Sequence, residues 1–195
     1  MLGQIKTDEK SNEITAIPER LKSLELKGCL VTIDAMGCQK KIAEAIIEKE
    51  ADYLLAVKDN QPTLHQAIQD YFAQANEMNF EGYDIDFDET FNNSHGRIES
   101  RRCWASYDAL PYLEGSKNWD ELQTIVVIES ERTINEETTI EHRYYISSTN
   151  RRTKGRAANL LNGSRMHWGI ENSLHWRLDI AFREDESRIR KGPGG

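Results

Sequence analysis

The sequence predicts an α/β fold. Two short apolar segments, residues 29–33 and 52–57, are too short for buried helices and have the content typical of strands buried on both faces. Segments with helical periodicity precede, separate and follow these two segments. Helices that alternate with buried strands predict parallel strands in one sheet.

The elements up to residue 79 follow from periodicity and from helix-start signals. A first helix is predicted after a cap at Ser11 or Asn12, with Pro18 at its first position and its end before Gly28. Apolar residues at helical spacing predict a second helix between the two strands, and a third helix is predicted over residues 61–75, with Pro62 near its start.

From about residue 80 the pattern changes to that of antiparallel strands. Strands are predicted at residues 98–104, 123–129 and 142–147, and turns at Asn92-Asn93, Gly115-Ser116 and Asn135. We expect these strands to pack beside the α/β core, with the His95-Gly-Arg97 segment at a turn or at the start of a strand. Helical periodicity returns over residues 155–177.

These changes divide the chain into four predicted parts. Residues 1–79 form the first part of the core, 80–150 a β-rich insertion, 151–191 the C-terminal helical part of the core, and 192–195 a disordered tail.

Charge is distributed unevenly along this acidic chain. The formal net charge is −8, yet residues 142–170 contain no acidic side chain. This basic stretch contains Arg143, Arg151, Arg152, Lys154, Arg156 and Arg165. A run of charges is often only a solvated face, but six uncompensated cations favour contact with a polyanion such as DNA.

Composition also excludes several classes of protein. No apolar run approaches the length of about 20 residues that a membrane span needs, and the N-terminus lacks the apolar region of a signal peptide. Three cysteines, without C-x-x-C spacing, indicate neither a disulfide framework nor a thiolate zinc site, and we expect all three to be buried. A cytoplasmic protein without membrane association is predicted.

Two carboxylates are candidates for a metal site. Asp34 follows the first buried strand, where open α/β sheets bind ligands, although it could equally cap the next helix. Glu171 lies on the last predicted helix, where a lone carboxylate is more often a surface group. Together, a strand-end and a helix carboxylate fit a hard divalent ion such as Mg²⁺.

A zinc site is a weaker alternative. His167, Glu171 and His175 are four residues apart and therefore share one face of a helix. The neighbouring residues Trp168 and Trp176 favour packing or contact with a DNA backbone instead.

Several ordered motifs then resemble a known family. They read Val31-Thr-Ile-Asp34-Ala-Met-Gly-Cys-Gln39, Asp52-Tyr-Leu-Leu-Ala-Val-Lys58-Asp-Asn-Gln61, His95-Gly-Arg97-Ile-Glu99, His167-Trp-Gly-Ile-Glu171-Asn-Ser-Leu-His-Trp176 and Phe182-Arg-Glu-Asp185. Over nearly its whole length the chain resembles the H-repeat-associated, ISAs-type DDE transposases of bacterial insertion sequences.

The resemblance implies a ribonuclease H-like core in which three acidic residues hold two Mg²⁺ or Mn²⁺ ions that promote cleavage and joining of DNA. Asp34 matches the second aspartate of the family and Glu171 the final glutamate. The expected partner is double-stranded DNA, at the ends of the element and at its target, and a homodimer is left open. The expected DNA contacts are Arg97, Arg101, Arg151, Arg152, Lys154, Arg165, His167 and Trp168. Arg102 is a further candidate donor to phosphates. The alternative for Arg97, Arg101 and Arg102 is ordinary salt bridges to Glu99 and to the acidic segments of the chain.

The chain departs from the family at its start. Members carry their first aspartate in an Ile-Asp-Gly-Lys-Thr-like strand upstream of a segment that corresponds to residues 6–15, and this sequence begins just before that segment. We therefore expect a core that is incomplete at its N-terminus, with little or no catalysis by the chain alone. The alternative is a non-catalytic remnant that binds DNA or forms multimers.

Overall fold

A computed structural model describes the backbone of residues 13–94, 97–150 and 155–182, and the side chains of residues 17–93, 97–150 and 155–169. In these ranges six strands form one sheet, and four α-helices accompany it. The strands are β1 (Leu30–Ile33), β2 (Asp52–Val57), β3 (Ile85–Ser94), β4 (Arg97–Ser106), β5 (Thr124–Ile134) and β6 (Glu137–Ser147). The helices are α1 (Glu13–Lys22), α2 (Lys40–Ile47), α3 (Pro62–Glu77) and α4 (Arg156–Phe182), and short 3₁₀ turns span Ala35–Gly37 and Leu110–Tyr112.

The strand order is β1-β2-β6-β5-β4-β3. As predicted, β1 and β2 are parallel, with α2 between them in the chain. The later strands are antiparallel, as predicted, and they lie beside the α/β core. Because β6 pairs with β2, the β-rich region continues the sheet of the core edge to edge.

Helices cover both faces of this sheet, which explains the continuous apolar sequence of β2. Tyr53, Leu55 and Val57 pack in one core cluster with apolar residues of α2 and α3. Leu54 and Ala56, which alternate with them, pack in a second cluster with apolar residues of α4. Each fully buried leucine or isoleucine stabilises the fold by roughly 1.5–3 kcal/mol, so α4 is held to the sheet by hydrophobic burial.

Some expected boundaries are wrong. Helix α1 begins at Glu13, so Pro18 is an interior residue and not the first one. The helix tolerates the missing N–H of Pro18 because Ile17 and Leu21 pack in the core. Strand β3 contains Asn92 and Asn93, where a turn was expected.

Other boundaries are confirmed. Pro62 begins α3, and Arg97 begins β4. Asn135 and Glu136 have positive φ values of 49° and 67° and form the turn between β5 and β6. The predicted tail at residues 192–195 lies outside the described residues.

Two features of composition can also be checked. Cys38 and Cys103 are buried as expected, but Cys29 is exposed because it precedes β1 at the surface. Among the described helices, none has the length and apolar character needed to cross a membrane.

Candidate functional site

Asp34 is exposed and directly follows β1. Its Oδ1 accepts a hydrogen bond from the Gly37 backbone N–H at 3.3 Å, so it does cap the following 3₁₀ turn. The turn is tight: a Cβ on Gly37 would lie 2.3 Å from Ile33 Cγ2. Capping and ion binding are compatible roles, because a carboxylate has about four acceptor positions and this bond uses one of them.

The loop after β2 holds the Asp34 turn in place. Asn60 Nδ2 donates to the Ala35 carbonyl, and Gln61 Nε2 donates to the Cys38 carbonyl at 3.1 Å. Asn60 Oδ1 in turn accepts from the Lys58 backbone N–H at 3.3 Å. Side-chain hydrogen bonds therefore join the two motifs that follow β1 and β2 in the sequence. They lie at the carboxyl ends of these two parallel strands.

Helix α4 brings His167 to the same place. A small cavity of about 10 Å³ is lined by Asp34, His167 and Trp168 among others. Thr32 Oγ1 lies 3.3 Å from His167 Nδ1. The helix can approach so closely because Gly163 has no side chain: a Cβ there would lie 3.0 Å from Leu30 Cδ2.

Glu171 lies one helical turn after His167 on α4, and residues four apart share a helix face. The structure thus describes where its backbone lies, while the Glu171 side chain lies outside the described residues. Its convergence with Asp34 on an ion stays a prediction. The zinc alternative needs Glu171 and His175, whose side chains fall in the same undescribed part, and the described residues contain no group of three metal-ligating side chains.

A larger groove lies between the sheet and α4. We call it the basic groove; its volume is about 530 Å³. Five arginines and three glutamates line it, a formal excess of two positive charges in a chain of net charge −8. These residues are Arg97, Arg101, Arg132, Arg143, Arg165, Glu99, Glu131 and Glu141, and Trp168 also lines the groove.

The predicted DNA contacts divide into three sets. Arg97, Arg101, Arg165 and Trp168 line the basic groove together. His167 lines the cavity beside Asp34 instead. The remaining candidates, Arg151, Arg152 and Lys154, lie outside the described residues.

Trp168 joins the cavity to the basic groove, because its side chain lines both. The Arg143 guanidinium lies over the Trp168 ring, 4.0 Å from the ring centroid. Arg143 is also held by both oxygens of Glu141, through Nε at 2.8 Å and Nη2 at 3.0 Å. These two hydrogen bonds hold the guanidinium in one orientation at the wall of the groove.

Arg102 behaves differently from its neighbour Arg101. It follows Arg101 on β4 and therefore points to the other face of the sheet. There it pairs with Glu89 at 2.8 Å, Glu129 at 2.6 Å and Glu131 at 3.3 Å. Three carboxylates around one guanidinium make this an ion-pair network. Glu131, which also lines the groove, belongs to this network, whereas Arg102 itself does not line the groove.

Arg132 is a groove residue that the sequence did not indicate. It lies opposite Glu99 in the register of β4 and β5, and Arg132 Nη2 is 3.0 Å from Glu99 Oε1. No sequence motif near residue 132 identifies it, because its pairing with Glu99 depends on the register of two strands about 30 residues apart.

Several proteins similar to this chain are described as putative transposases. The family model described as "Transposase DDE domain" matches residues 1–194. "Putative transposase YncI" of Escherichia coli O157:H7 is 47% identical over 195 residues, covering 98% of this chain and 48% of the relative. "H repeat-associated putative transposase YhhI" of Escherichia coli K12 is 41% identical over 198 residues, covering 98% of this chain and 50% of the relative.

The chain therefore belongs to the DDE transposase family. Its similarity to the H-repeat-associated group, expected from the motifs around Asp34 and Glu171, is confirmed. The chain spans about half the length of these relatives.

Proposed function

We propose that this chain supplies part of the catalytic core of a DNA transposase that cleaves and joins DNA, with Asp34 and Glu171 as two of its metal-binding carboxylates. One observation carries the proposal: Asp34 and His167, which precedes Glu171 by one helical turn, line the same cavity. Trp168 then connects this cavity to the basic groove, which suits a phosphate backbone.

The topology supports a ribonuclease H-like core in the proposed enzyme. β1 and β2 are parallel neighbours, and Asp34 follows β1 at the edge of the sheet. Among the described strands, none pairs with the other edge of β1. A further strand that carries the first aspartate of the family would extend the sheet beside β1 and place its carboxylate near Asp34.

Asp34 fits a hard divalent ion. It is exposed, and its hydrogen bond to Gly37 leaves other acceptor positions open. Mg²⁺ or Mn²⁺ would supply activation of the attacking oxygen and stabilisation of the leaving oxygen when bound. The protein's own contribution is orientation: Asn60 and Gln61 fix the turn that presents Asp34, and the groove arginines hold the DNA backbone.

The test is metal-dependent nicking of DNA that carries the element's ends. The chain alone, with Mg²⁺ or Mn²⁺, should bind duplex DNA weakly and in a salt-sensitive way without nicking it. A longer protein that adds the strand with the first aspartate should nick, and Asp34→Asn or Glu171→Gln in it should abolish nicking. Asp59→Asn is a matched control, because Asp59 follows the neighbouring strand β2 but is fully exposed and pairs only weakly with His65, at 4.0 Å.

Two outcomes would contradict the proposal. Nicking by the longer protein that survives both Asp34→Asn and Glu171→Gln would show that the site is elsewhere. A longer protein that binds DNA but never nicks it would favour the alternative, a non-catalytic remnant that binds DNA.

A further inference from the structure

Glu99 lines the basic groove and contacts three arginines. Its side chain is only 6% exposed. Arg101 Nη2 lies 3.0 Å from its Oε2, Arg132 Nη2 lies 3.0 Å from its Oε1, and Arg97 Nε lies 3.3 Å from its Oε1. The cluster thus contains one negative charge and three positive charges, a formal excess of two positive charges.

The three guanidiniums have more N–H donors than the Glu99 carboxylate can accept. Each arginine carries five N–H groups in a planar fork, whereas a carboxylate offers about four acceptor positions. Arg97 and Arg132 are also accessible, with 44% and 50% of their side chains exposed, and Arg101 is 26% exposed. The arrangement therefore presents oriented donors to whatever enters the groove.

Glu99 keeps its charge in this setting. Burial by itself raises the pKa of Glu99, but Arg101, Arg132 and Arg97 outweigh burial and hold the pKa below its ordinary value of 4.5. The carboxylate is therefore ionised at neutral pH, and the three arginines stay anchored to it.

A purely structural ion pair would need fewer cations. One arginine neutralises one buried carboxylate, and each additional arginine brought to it repels those already there. An anion that binds the outward donors would relieve this repulsion. Planar forks match phosphate oxygens particularly well, because two parallel N–H groups can bind two oxygens of one group.

We propose that Glu99 is a positioning residue that orients Arg97, Arg101 and Arg132 as a binding site for backbone phosphates of DNA, and that Arg132 itself contacts the DNA. This inference rests on the proposed DNA substrate. Arg97 and Arg101 were expected to bind DNA from the sequence, whereas Arg132 and the role of Glu99 follow from the register of β4 and β5.

The direction in which one substitution changes DNA affinity shows whether Glu99 positions the arginines or acts only through its charge. Glu99→Gln removes a negative charge from the groove, so charge alone would tighten DNA binding. If Glu99 positions the arginines, the same substitution weakens binding, because the amide cannot hold three guanidiniums. Glu131→Gln is the matched control: Glu131 lines the same groove, is 34% exposed and pairs with Arg102, which is not a groove arginine.

The experiment is fluorescence anisotropy of a labelled DNA duplex with the whole chain, repeated over a range of salt concentrations, with circular dichroism to verify folding. We expect Glu99→Gln to weaken binding roughly 3- to 10-fold and Glu131→Gln to tighten it by up to about twofold. Arg132→Ala should weaken binding roughly 3- to 10-fold and reduce the slope of log affinity against log salt by about one.

If Glu99→Gln does not fold, Arg132→Lys decides instead, since it keeps the charge but loses the fork. Binding weaker than that of the original chain supports the proposal, and equal binding overturns it. Folded Glu99→Gln that binds as tightly as the original chain, or more tightly, also overturns it but leaves the proposed function intact. Absence of salt-dependent DNA binding by the original chain would instead contradict both proposals.

Discussion

The Arg143 guanidinium lies over the Trp168 ring at 4.0 Å from its centroid, and this contact joins strand β6 to helix α4. It is the point where the basic groove meets the cavity beside Asp34, because Trp168 lines both. The contact therefore ties the predicted DNA path to the predicted metal site. It adds to the hydrophobic burial that holds α4 on the sheet.

A double-mutant cycle measures this contact. Arg143→Ala, Trp168→Ala and the double variant should show a coupling of about 0.5–1 kcal/mol in the free energy of unfolding, as for cation–π contacts near a surface. Urea titration followed by circular dichroism gives the three values. The cycle cancels the loss of the Arg143 pair with Glu141, which the arginine variant shares with the double variant. Additive effects, within about 0.3 kcal/mol, would mean that the ring and the guanidinium do not interact in solution.

Gly37→Ala tests the turn that presents Asp34. The new Cβ would lie 2.3 Å from Ile33 Cγ2, so either the turn or the end of β1 must shift. We expect a loss of roughly 1–3 kcal/mol in the free energy of unfolding, as for overpacked sites. Gly169→Ala is the matched control, because nothing lies within 4 Å of a Cβ there. In helix α4 that substitution should be neutral or stabilise by up to about 1 kcal/mol. Equal effects of the two substitutions would contradict the close packing at Gly37.

The sequence predicted the parallel part of the fold well because its signals are local. Short apolar runs gave β1 and β2, and Pro62 marked the start of α3. Strand β3 was missed because Asp86, Asp88 and Asn92 make it polar, and an edge strand needs only a partner along one side. Its ten-residue pairing with β4 is a tertiary feature.

In the candidate site, too, local sequence signals identified some residues, whereas others depend on tertiary structure. Asp34 could be proposed from its place after a buried strand, and Arg97 and Arg101 as basic residues at and after the start of a predicted strand. The sequence could not show that Arg101 enters the basic groove while Arg102 pairs with glutamates, since that depends on which face of β4 packs under α4. Arg132 could not be predicted at all without the register of β4 and β5.

Asp108 should make stability depend on acid pH. It accepts hydrogen bonds from the Tyr71 hydroxyl at 2.7 Å, the Ser106 hydroxyl at 2.8 Å and the Asp84 backbone N–H at 3.2 Å. Burial raises the pKa of Asp108, but these bonds outweigh it and lower the pKa below its ordinary value of 3.8. A carboxyl group whose pKa is lower in the folded state stabilises the fold above the unfolded-state value, and that stability is lost as pH falls through the folded-state value.

Asp108→Asn should therefore lower the free energy of unfolding by about 1–2 kcal/mol at pH 7 and flatten its dependence on pH below about 4. Urea titrations at several pH values measure both effects. Asp70→Asn is the control, because Asp70 is exposed on α3 and accepts one bond, from Gln66 at 2.8 Å. It should change stability by less than about 0.5 kcal/mol at every pH. An unchanged pH profile in Asp108→Asn would show that its hydrogen bonds do not form in solution.

The three cysteines provide a test of how α4 docks. Cys29 is exposed, whereas burial raises the pKa of the Cys38 thiol to about 12 and raises the pKa of Cys103 as well. Because the thiolate is the reactive form, a thiol reagent at about pH 8 should modify one cysteine in the folded chain and three after unfolding in urea.

Cys29→Ser should abolish the fast reaction and leave two thiols that react only in urea. Cys103 is the informative one, because it packs with Leu160 and Leu161 of α4, the helix that carries Glu171. Its rate of modification in the folded Cys29→Ser chain reports opening of α4 from the sheet. A Cys103 that reacts as fast as the exposed Cys29 would show that α4 does not stay docked, and the approach of Glu171 to Asp34 would then lose its structural basis.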